Sequence, residues 1–330
     1  MTAMAPLEAK EEARRADALS VLVVTNMYPT PESPHYGIFV AEQVEALRER
    51  DDIERVDVLF VDGRQRPSNY LRGIVELRRM MGEQAYDLVH AHYGLAGAIA
   101  VMQRRVPVVI TFHSGDIDYI WWHKHISRGA AAFSRANLCV CEKDMAKLMA
   151  PSFHLPCGIE IERFRPRDRQ DAREKYGIAD NQLAVLFPGP RTHTKKAYDR
   201  FEEVRDELRA RGHDVVELRL ETTERDDVPT LFAAADVLVM TSRSEGSPVS
   251  VMEALSGGVP IVATDVGDVR PMIEGAPGCY VGEYDPMRFA DEIERLRDSG
   301  ARTPRVRAKR FSQERIVTAL RVVYAEAVGQ

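Results

Sequence analysis

DVLVMTSRSEGSPVSVMEALSGGVPIVATDVGD, Asp236 to Asp268, decides how the rest of the chain is read. Asp236–Met240 is a short apolar run suited to a buried strand, and Ile261–Thr264, entered through Pro260, is a second. Between them Ser247 is placed as an N-cap and Pro248 as the first helical residue. The predicted helix carries Val251, Met252, Ala254 and Leu255, and Gly257 and Gly258 stop it. The first N–H groups of such a helix lack internal partners, and its dipole is positive there. A diphosphate fits at that end. Glu245 lies just outside the helix and Glu253 within it. Both are expected to border one crevice at the strand ends, where open α/β sheets hold ligands.

Working outward, strands and helices alternate. Strands are predicted at Val21–Thr25, Val56–Val61, Leu88–Ala91, Val106–Phe112 and Leu138–Cys141, with helical periodicity between them. A charged, irregular segment around Pro156, Gly158, Phe164 and Pro166 reads as a hinge. The alternation then restarts with strands at Ala184–Pro188 and Val215–Leu220, leading into the quoted stretch and to Cys279–Val281. Alternation of this kind means parallel sheets wrapped by helices. The fold class is therefore α/β, with two Rossmann-like domains facing across a central crevice. The expected division is a polar tail at 1–17, a first domain at 18–165, a second at 166–311, and a last amphipathic helix at 312–330 that packs on either half.

The 330 residues suffice for two cored domains. A net charge of −6 argues against a nucleic-acid reader. No run reaches the ~20 apolar residues of a membrane span, and the first twenty residues show no apolar signal core, so a cytoplasmic location is expected. Cys139, Cys141, Cys157 and Cys279 form no C-x-x-C pair, so neither a zinc site nor a disulfide framework is indicated. His90 and His92, either side of Ala91, are read as facing opposite ways, and no metal site is expected. Arg64, Arg66, Arg72, Arg78 and Arg79 form a basic cluster that allows weak peripheral contact with anionic lipid. No G-x-G-x-x-G follows the first strand, which disfavours a nicotinamide dehydrogenase.

Six segments, in order, resemble family 4 of the glycosyltransferases, of the GT-B type. They are YPTPESPHYGIF (28–39), DLVHAHYGLAG (87–97), VVITFHSGDID (108–118), LPCGIEIERFRP (155–166), LFPGPRTHTKKAYD (186–199) and the E-x7-E stretch ending at Asp268. The resemblance implies a retaining enzyme that moves a sugar from a nucleoside-diphosphate sugar to a hydroxyl acceptor. It implies no metal and no cofactor beyond the donor substrate. Arg191 and Lys196 would neutralise the departing diphosphate, the Arg-x4-Lys spacing selecting Lys196 over Lys195. Glu253 would hold the ribose hydroxyls, Glu245 would face the donor sugar, and backbone N–H groups of Gly246, Ser247, Pro248 and Val249 (Pro248 excepted, which has none) would meet the diphosphate. His113 would stand near the donor sugar, Asp116 would contact sugar or acceptor, and Gly37 would let the first loop approach the ligand. The acceptor is left open among carbohydrate, lipid-linked and small-molecule classes, as is the oligomeric state. A catalytically silent nucleotide-sugar binder, or a GT-B phosphorylase or epimerase, remains the alternative. Arg270 stands where many relatives carry glutamate, and PGPR replaces the commoner Gly-Arg. These departures bear on specificity more than on fold.

Overall fold

The structure is a computed structural model that describes residues 18–118 and 121–330. The tail expected at 1–17 lies outside the described residues. The chain divides into two compact units, one formed by residues up to Gly158 together with Gln313–Gln330, the other by Ile159–Ser312.

The first unit begins with β1 (Leu19–Thr25), α1 (Ile38–Arg48), β2 (Ile53–Phe60), α2 (Asn69–Glu83), β3 (Leu88–His92) and α3 (Gly94–Ala100). It continues through β4 (Val108–Phe112), α4 (Gly115–Asp118), α5 (Trp121–Phe133), β5 (Ala136–Cys139), α6 (Glu142–Leu148) and β6 (Phe153–His154). All strands are parallel, in the order β2-β1-β3-β4-β5-β6. β1 is buried along its whole length because it lies between two strands with helices on both faces. β2 shows exposed and half-buried positions, as an edge strand does.

The second unit holds α7 (Arg169–Lys175), β7 (Leu183–Phe187), α8 (Tyr198–Ala210), β8 (Val215–Arg219), α9 (Val228–Ala234) and β9 (Val237–Met240). Then come α10 (Val249–Gly257), β10 (Ile261–Thr264), α11 (Val269–Ile273), β11 (Cys279–Gly282) and α12 (Pro286–Ser299). Its sheet is also parallel, in the order β11-β10-β9-β7-β8. Both sheets thus reverse direction once. The reversal lies between β1 and β3 in the first unit and between β7 and β9 in the second. Ligands of open α/β sheets bind outside the carboxyl ends of strands at such points.

The last helix, α13 (Gln313–Val328), places Val317, Leu320, Tyr324 and Ala327 in the core against β1, β3 and β4 of the first unit. The unit boundary at Gly158/Ile159 falls earlier than the 165/166 division expected from composition. Its cause is local: the Ile159 N–H donates to the Phe311 carbonyl at 2.8 Å, and Phe164 packs edge-on against Phe232 within the second unit.

The helix of the opening stretch starts one residue later than predicted. Pro248, with an extended ψ of 113°, is the N-cap of α10, and Ser247 makes no capping bond. Buried residues occur all round this helix, from Ser250 to Ser256, so it is a core helix rather than an amphipathic one.

Candidate active site

In the second unit, the loop after β7 and the loop after β9 are stitched together at the sheet reversal. The Arg243 N–H donates to the Lys195 carbonyl at 2.8 Å, and the Thr241 hydroxyl donates to the Ala197 carbonyl at 3.1 Å. These bonds hold Ala197 at a φ of +53°, a left-handed conformation costing about 1–2 kcal/mol for a residue with a Cβ. The outcome is a fixed place for Lys196. Its Nζ lies 2.8 Å from Glu245 Oε1, and the same oxygen accepts the Ser242 hydroxyl at 2.7 Å. Gly189 makes room for that lysine: a Cβ there would sit 3.0 Å from Lys196 Cγ. Gly267, at a φ of +54°, packs on the Glu245–Gly246 backbone so closely that a Cβ would meet the Gly246 carbonyl oxygen at 2.2 Å. The Asp268 N–H donates to that same oxygen at 2.9 Å.

Arg191 takes a different partner. Its Nε lies 3.4 Å from Glu221 Oε1, its backbone N–H donates to Glu221 Oε2 at 3.1 Å, and its guanidinium lies 5.1 Å from the Tyr198 ring centre. The two expected clamp cations are therefore held by different carboxylates. Glu253 is buried on α10 and accepts from Arg225 Nη1 at 2.7 Å, while Arg225 also lies over the Phe164 ring at 5.1 Å. At the start of α10, the hydroxyls of Ser247 and Ser250 are buried with no hydrogen-bond partner among the described residues. Buried polar groups normally have partners, so two orphans beside a helix N-terminus are a notable cost.

In the first unit the corresponding reversal is lined by rings. Gly37, at a φ of +72°, starts α1 pressed on the Met27–Tyr28 backbone, where a Cβ would lie 2.5 Å from the Met27 carbonyl oxygen. His92 Nδ1 lies 3.1 Å from His113 Nε2, and the His113 ring stacks on Tyr93 at 4.4 Å and leans on Phe39 at 5.0 Å. His90 bonds Thr111 Oγ1 at 2.8 Å through Nε2 and the Tyr324 hydroxyl at 2.8 Å through Nδ1. The His90 and His92 rings are 4.3 Å apart, which corrects the expectation that they face opposite ways. Residues i and i+2 of a strand share a face. Even so, no group of His, Cys, Asp or Glu among the described residues is arranged to hold a metal ion.

Burial holds these imidazoles neutral. His92 is pushed down to about 3, and His90 and His113 fall well below the usual imidazole value, first through burial and then through neighbouring histidines. Asp116 moves the other way: burial raises it to about 7 against the pull of its backbone hydrogen bonds. Its Oδ2 accepts the Gly94 N–H at 2.9 Å and its Oδ1 the His113 N–H at 3.0 Å. Asp116 thus ties the loop after β4 to the start of α3. Each oxygen serves one backbone donor and keeps a second lone pair, so the expected contact with sugar or acceptor uses that remaining capacity. Tyr93 and Ser114 flank this knot at φ of +76° and +64°, and the Ser114 hydroxyl is buried without a partner. Strain of this kind collects at functional sites.

Sequence reading did not single out Tyr93, Ser114, Ser242 or Arg225. The adjoining residues 92–94 and 113–115 at two strand ends were the available signal for the first pair. Nothing local marks Arg225, whose partner Glu253 is 28 residues away. The basic cluster on α2 and the loop before it is partly neutralised, since Arg64 pairs with Asp62 at 3.1 Å and Arg79 with Glu76 and Glu83. No helix among the described residues is long and apolar enough to cross a membrane. None of the four cysteines is in a disulfide.

Comparison with known proteins bears on the family and the fold. Residues 10–163 match the family model described as Glycosyltransferase Family 4, and residues 181–299 the model described as Glycosyl transferases group 1. The putative teichuronic acid biosynthesis glycosyltransferase TuaC of Bacillus subtilis is 30% identical over 254 residues, 66% of this chain and 64% of that protein. Among solved structures, sucrose-phosphate synthase from Thermosynechococcus elongatus superimposes with a TM-score of 0.78 at 15% identity, over 93% of this chain and 98% of that one. Anabaena HepE in complex with UDP does so with a TM-score of 0.72 at 16% identity, over 93% and 100%. Two parallel sheets of the same order, two family models matched in chain order and these relatives together show that the chain belongs to family 4 of the glycosyltransferases, with the GT-B fold.

Proposed function

We propose that this enzyme moves a sugar from a nucleoside-diphosphate sugar to a hydroxyl acceptor, with retention of anomeric configuration and without a metal. The observation that carries the reading is Lys196 held against Glu245 at the second sheet reversal, beside the orphan hydroxyls of Ser247 and Ser250 at the start of α10. Those hydroxyls and the first N–H groups of α10 suit a diphosphate, which supplies the acceptors they lack. Lys196 offsets the charge that grows on the diphosphate as the C1–O bond breaks. Arg191 adds a second cation once it leaves Glu221. Glu253, oriented by Arg225, accepts ribose hydroxyls, and Glu245 accepts from the sugar. The complex of HepE with UDP supports a nucleoside diphosphate as the ligand class.

In the proposed step the acceptor oxygen forms its bond to C1 on the face from which the diphosphate departs. The acceptor proton passes to a diphosphate oxygen. Neutral His113 serves as a hydrogen-bonding group rather than a proton donor, because its basicity is suppressed.

A thermal-shift panel of nucleoside diphosphates and their sugars tests the donor half. A ligand at 100 times its Kd stabilises the folded state by about 2.7 kcal/mol, or several degrees for a unit of this size. Absence of a shift with every member would remove the reading. Product anomer analysis by NMR tests retention, and turnover unchanged by EDTA tests metal independence.

A further inference from the structure

The first unit contains a cavity of about 600 Å³ that none of the residues discussed so far explains. It lies within the range of ligand sites, roughly 300–1,000 Å³. Its polar end is at the carboxyl ends of β1 and β2, where Asn26, Tyr36 and Arg64 line it. Its body is apolar, walled by Leu71 and Ile74 of α2, by Leu95 and Ile99 of α3, by Met102 and by Trp122 of α5. The wall runs along α3 from Leu95 to Ile99, about 6 Å at 1.5 Å per residue, and continues to Met102 beyond the helix.

Two features distinguish it from a packing defect. First, the large side chains at its mouth are exposed: Leu71 is 69% exposed, Met102 50% and Trp122 43%, with Trp121 beside them at 76%. A contiguous exposed apolar rim marks an interaction site. Second, its polar end adjoins the glycine turn of the candidate active site: Tyr36 directly precedes Gly37, and its hydroxyl donates to the Asn26 carbonyl at 3.3 Å. Asn26 donates to the Tyr70 hydroxyl at 3.1 Å, and Arg64 lies over the Tyr36 ring with its charge balanced by Asp62. The polar end is therefore nearly neutral and rich in hydroxyl and amide groups, which suits sugar-like hydroxyls better than a bare anion.

We propose that this cavity holds the hydrocarbon chain of an amphiphilic acceptor, with the acceptor hydroxyls at the Asn26–Tyr36 end and the chain along α3. The inference rests on the transferase reading above for the word acceptor, but the binding itself does not depend on it. An amphiphile is the occupant whose two ends match the two ends of the cavity.

The test uses the intrinsic fluorescence of the only two tryptophans, of which Trp122 lines the cavity and Trp121 precedes it on α5. The probes are methyl, hexyl and octyl β-glucoside, each kept below its micelle concentration. Octyl glucoside is expected to bind saturably with a blue shift, and about tenfold tighter than hexyl, given about 0.8 kcal/mol per buried methylene. Methyl glucoside should give no shift. Ala98→Phe, which fills the cavity, and Met102→Glu, which puts a charge at its exposed end, should each weaken octyl glucoside at least tenfold. Met102 is half exposed, so the second variant tests the site if the first does not fold. Thermal shift with nucleoside diphosphates should be unchanged in both variants. Loss of that shift in the wild-type chain would sink the transferase reading while leaving the cavity to be judged by fluorescence. Equal affinity for hexyl and octyl glucoside, a shift only above the micelle threshold, or full binding by both variants would overturn the proposal. So would a shift with phosphatidylcholine vesicles and none with monomeric octyl glucoside, which would identify a membrane-facing patch instead.

Discussion

The two sheet reversals share a strand order but not a chemistry. The first, between β1 and β3, is furnished with stacked rings, neutral imidazoles and a carboxyl group raised to about 7. The second, between β7 and β9, is furnished with ion pairs, Lys196 with Glu245 and Arg191 with Glu221, and with two orphan hydroxyls. One strand order thus occurs twice with different side chains at the strand ends. The contrast teaches that topology selects where a ligand sits, and side chains select its charge. A burial that suppresses three histidines is a poor home for a diphosphate. A site of re-pairable cations is a good one.

The sharpest way to break this comparison is to remove the cation. Lys196→Ala should lower kcat/KM about 100–1,000-fold, the range for one preorganised electrostatic group. It should also weaken nucleoside diphosphate binding in calorimetry. His113→Ala should leave nucleoside diphosphate affinity within a fewfold of wild type. If both variants lose nucleotide equally, the division of charge between the two units is wrong.

A smaller effect is expected at Glu253, where structure and ligand binding are entangled. Glu253→Ala leaves the Arg225 guanidinium without its 2.7 Å partner. Breaking such a pair costs about 2–4 kcal/mol, read as a lowered unfolding temperature in calorimetry. Arg225→Leu combined with Glu253→Leu should recover most of that stability and still fail to bind nucleotide. Recovery of binding in the double variant would mean that Glu253 is only structural.

How far the sequence revealed these sites depends on how local the causes are. The strands of both sheets were legible because buried parallel strands are near-continuous apolar runs. Phe153–His154 escaped because a two-residue exposed edge strand has no such run. Arg169–Lys175 escaped because RQDAREK is polar along its length, although Asp168 caps it by accepting the Asp171 N–H. Ser247 was misplaced as a cap because Ser-Pro suits either register, and only the extended ψ of Pro248 decides. Lys196 and Glu245 were assigned to one site by the family resemblance, not by a local pattern. The partner of Asp116 was not, since backbone N–H groups leave no mark in a sequence. The Arg225–Glu253 pair was hidden for the same kind of reason, being made by tertiary packing alone.

The pH dependence of stability should also separate the units. His90, His92 and His113 have depressed values, so their contribution is present above about 6.5 and is lost as pH falls below it. Asp116 is raised to about 7, so its contribution is present below the usual aspartate value and is lost as pH rises through about 7. Between about pH 4 and 6.5 the histidines outnumber the aspartate, so the first unit should lose stability on acidification. Each net proton is worth about 1.4 kcal/mol per pH unit. Urea unfolding followed by tryptophan fluorescence reads this unit, because Trp121 and Trp122 belong to it. His92→Gln should flatten the slope by about one proton. An unchanged slope would show that the ring cluster is not kept neutral by burial.

The smallest effect is the most discriminating, because its two readouts should move in opposite directions. The Ser247 hydroxyl is buried without a partner, so the free chain bears the cost of desolvating it. Ser247→Ala removes that group while keeping the backbone that Pro248 fixes. The unliganded second unit should become more stable by up to about 1 kcal/mol. If a diphosphate oxygen accepts from this hydroxyl, the same change should weaken nucleoside diphosphate binding severalfold. A structural hydroxyl with an unseen partner predicts the reverse, a destabilised free chain with unaltered affinity. Calorimetric unfolding with and without nucleoside diphosphate separates the two, because the stability gain and the affinity loss act on different states of the same unit.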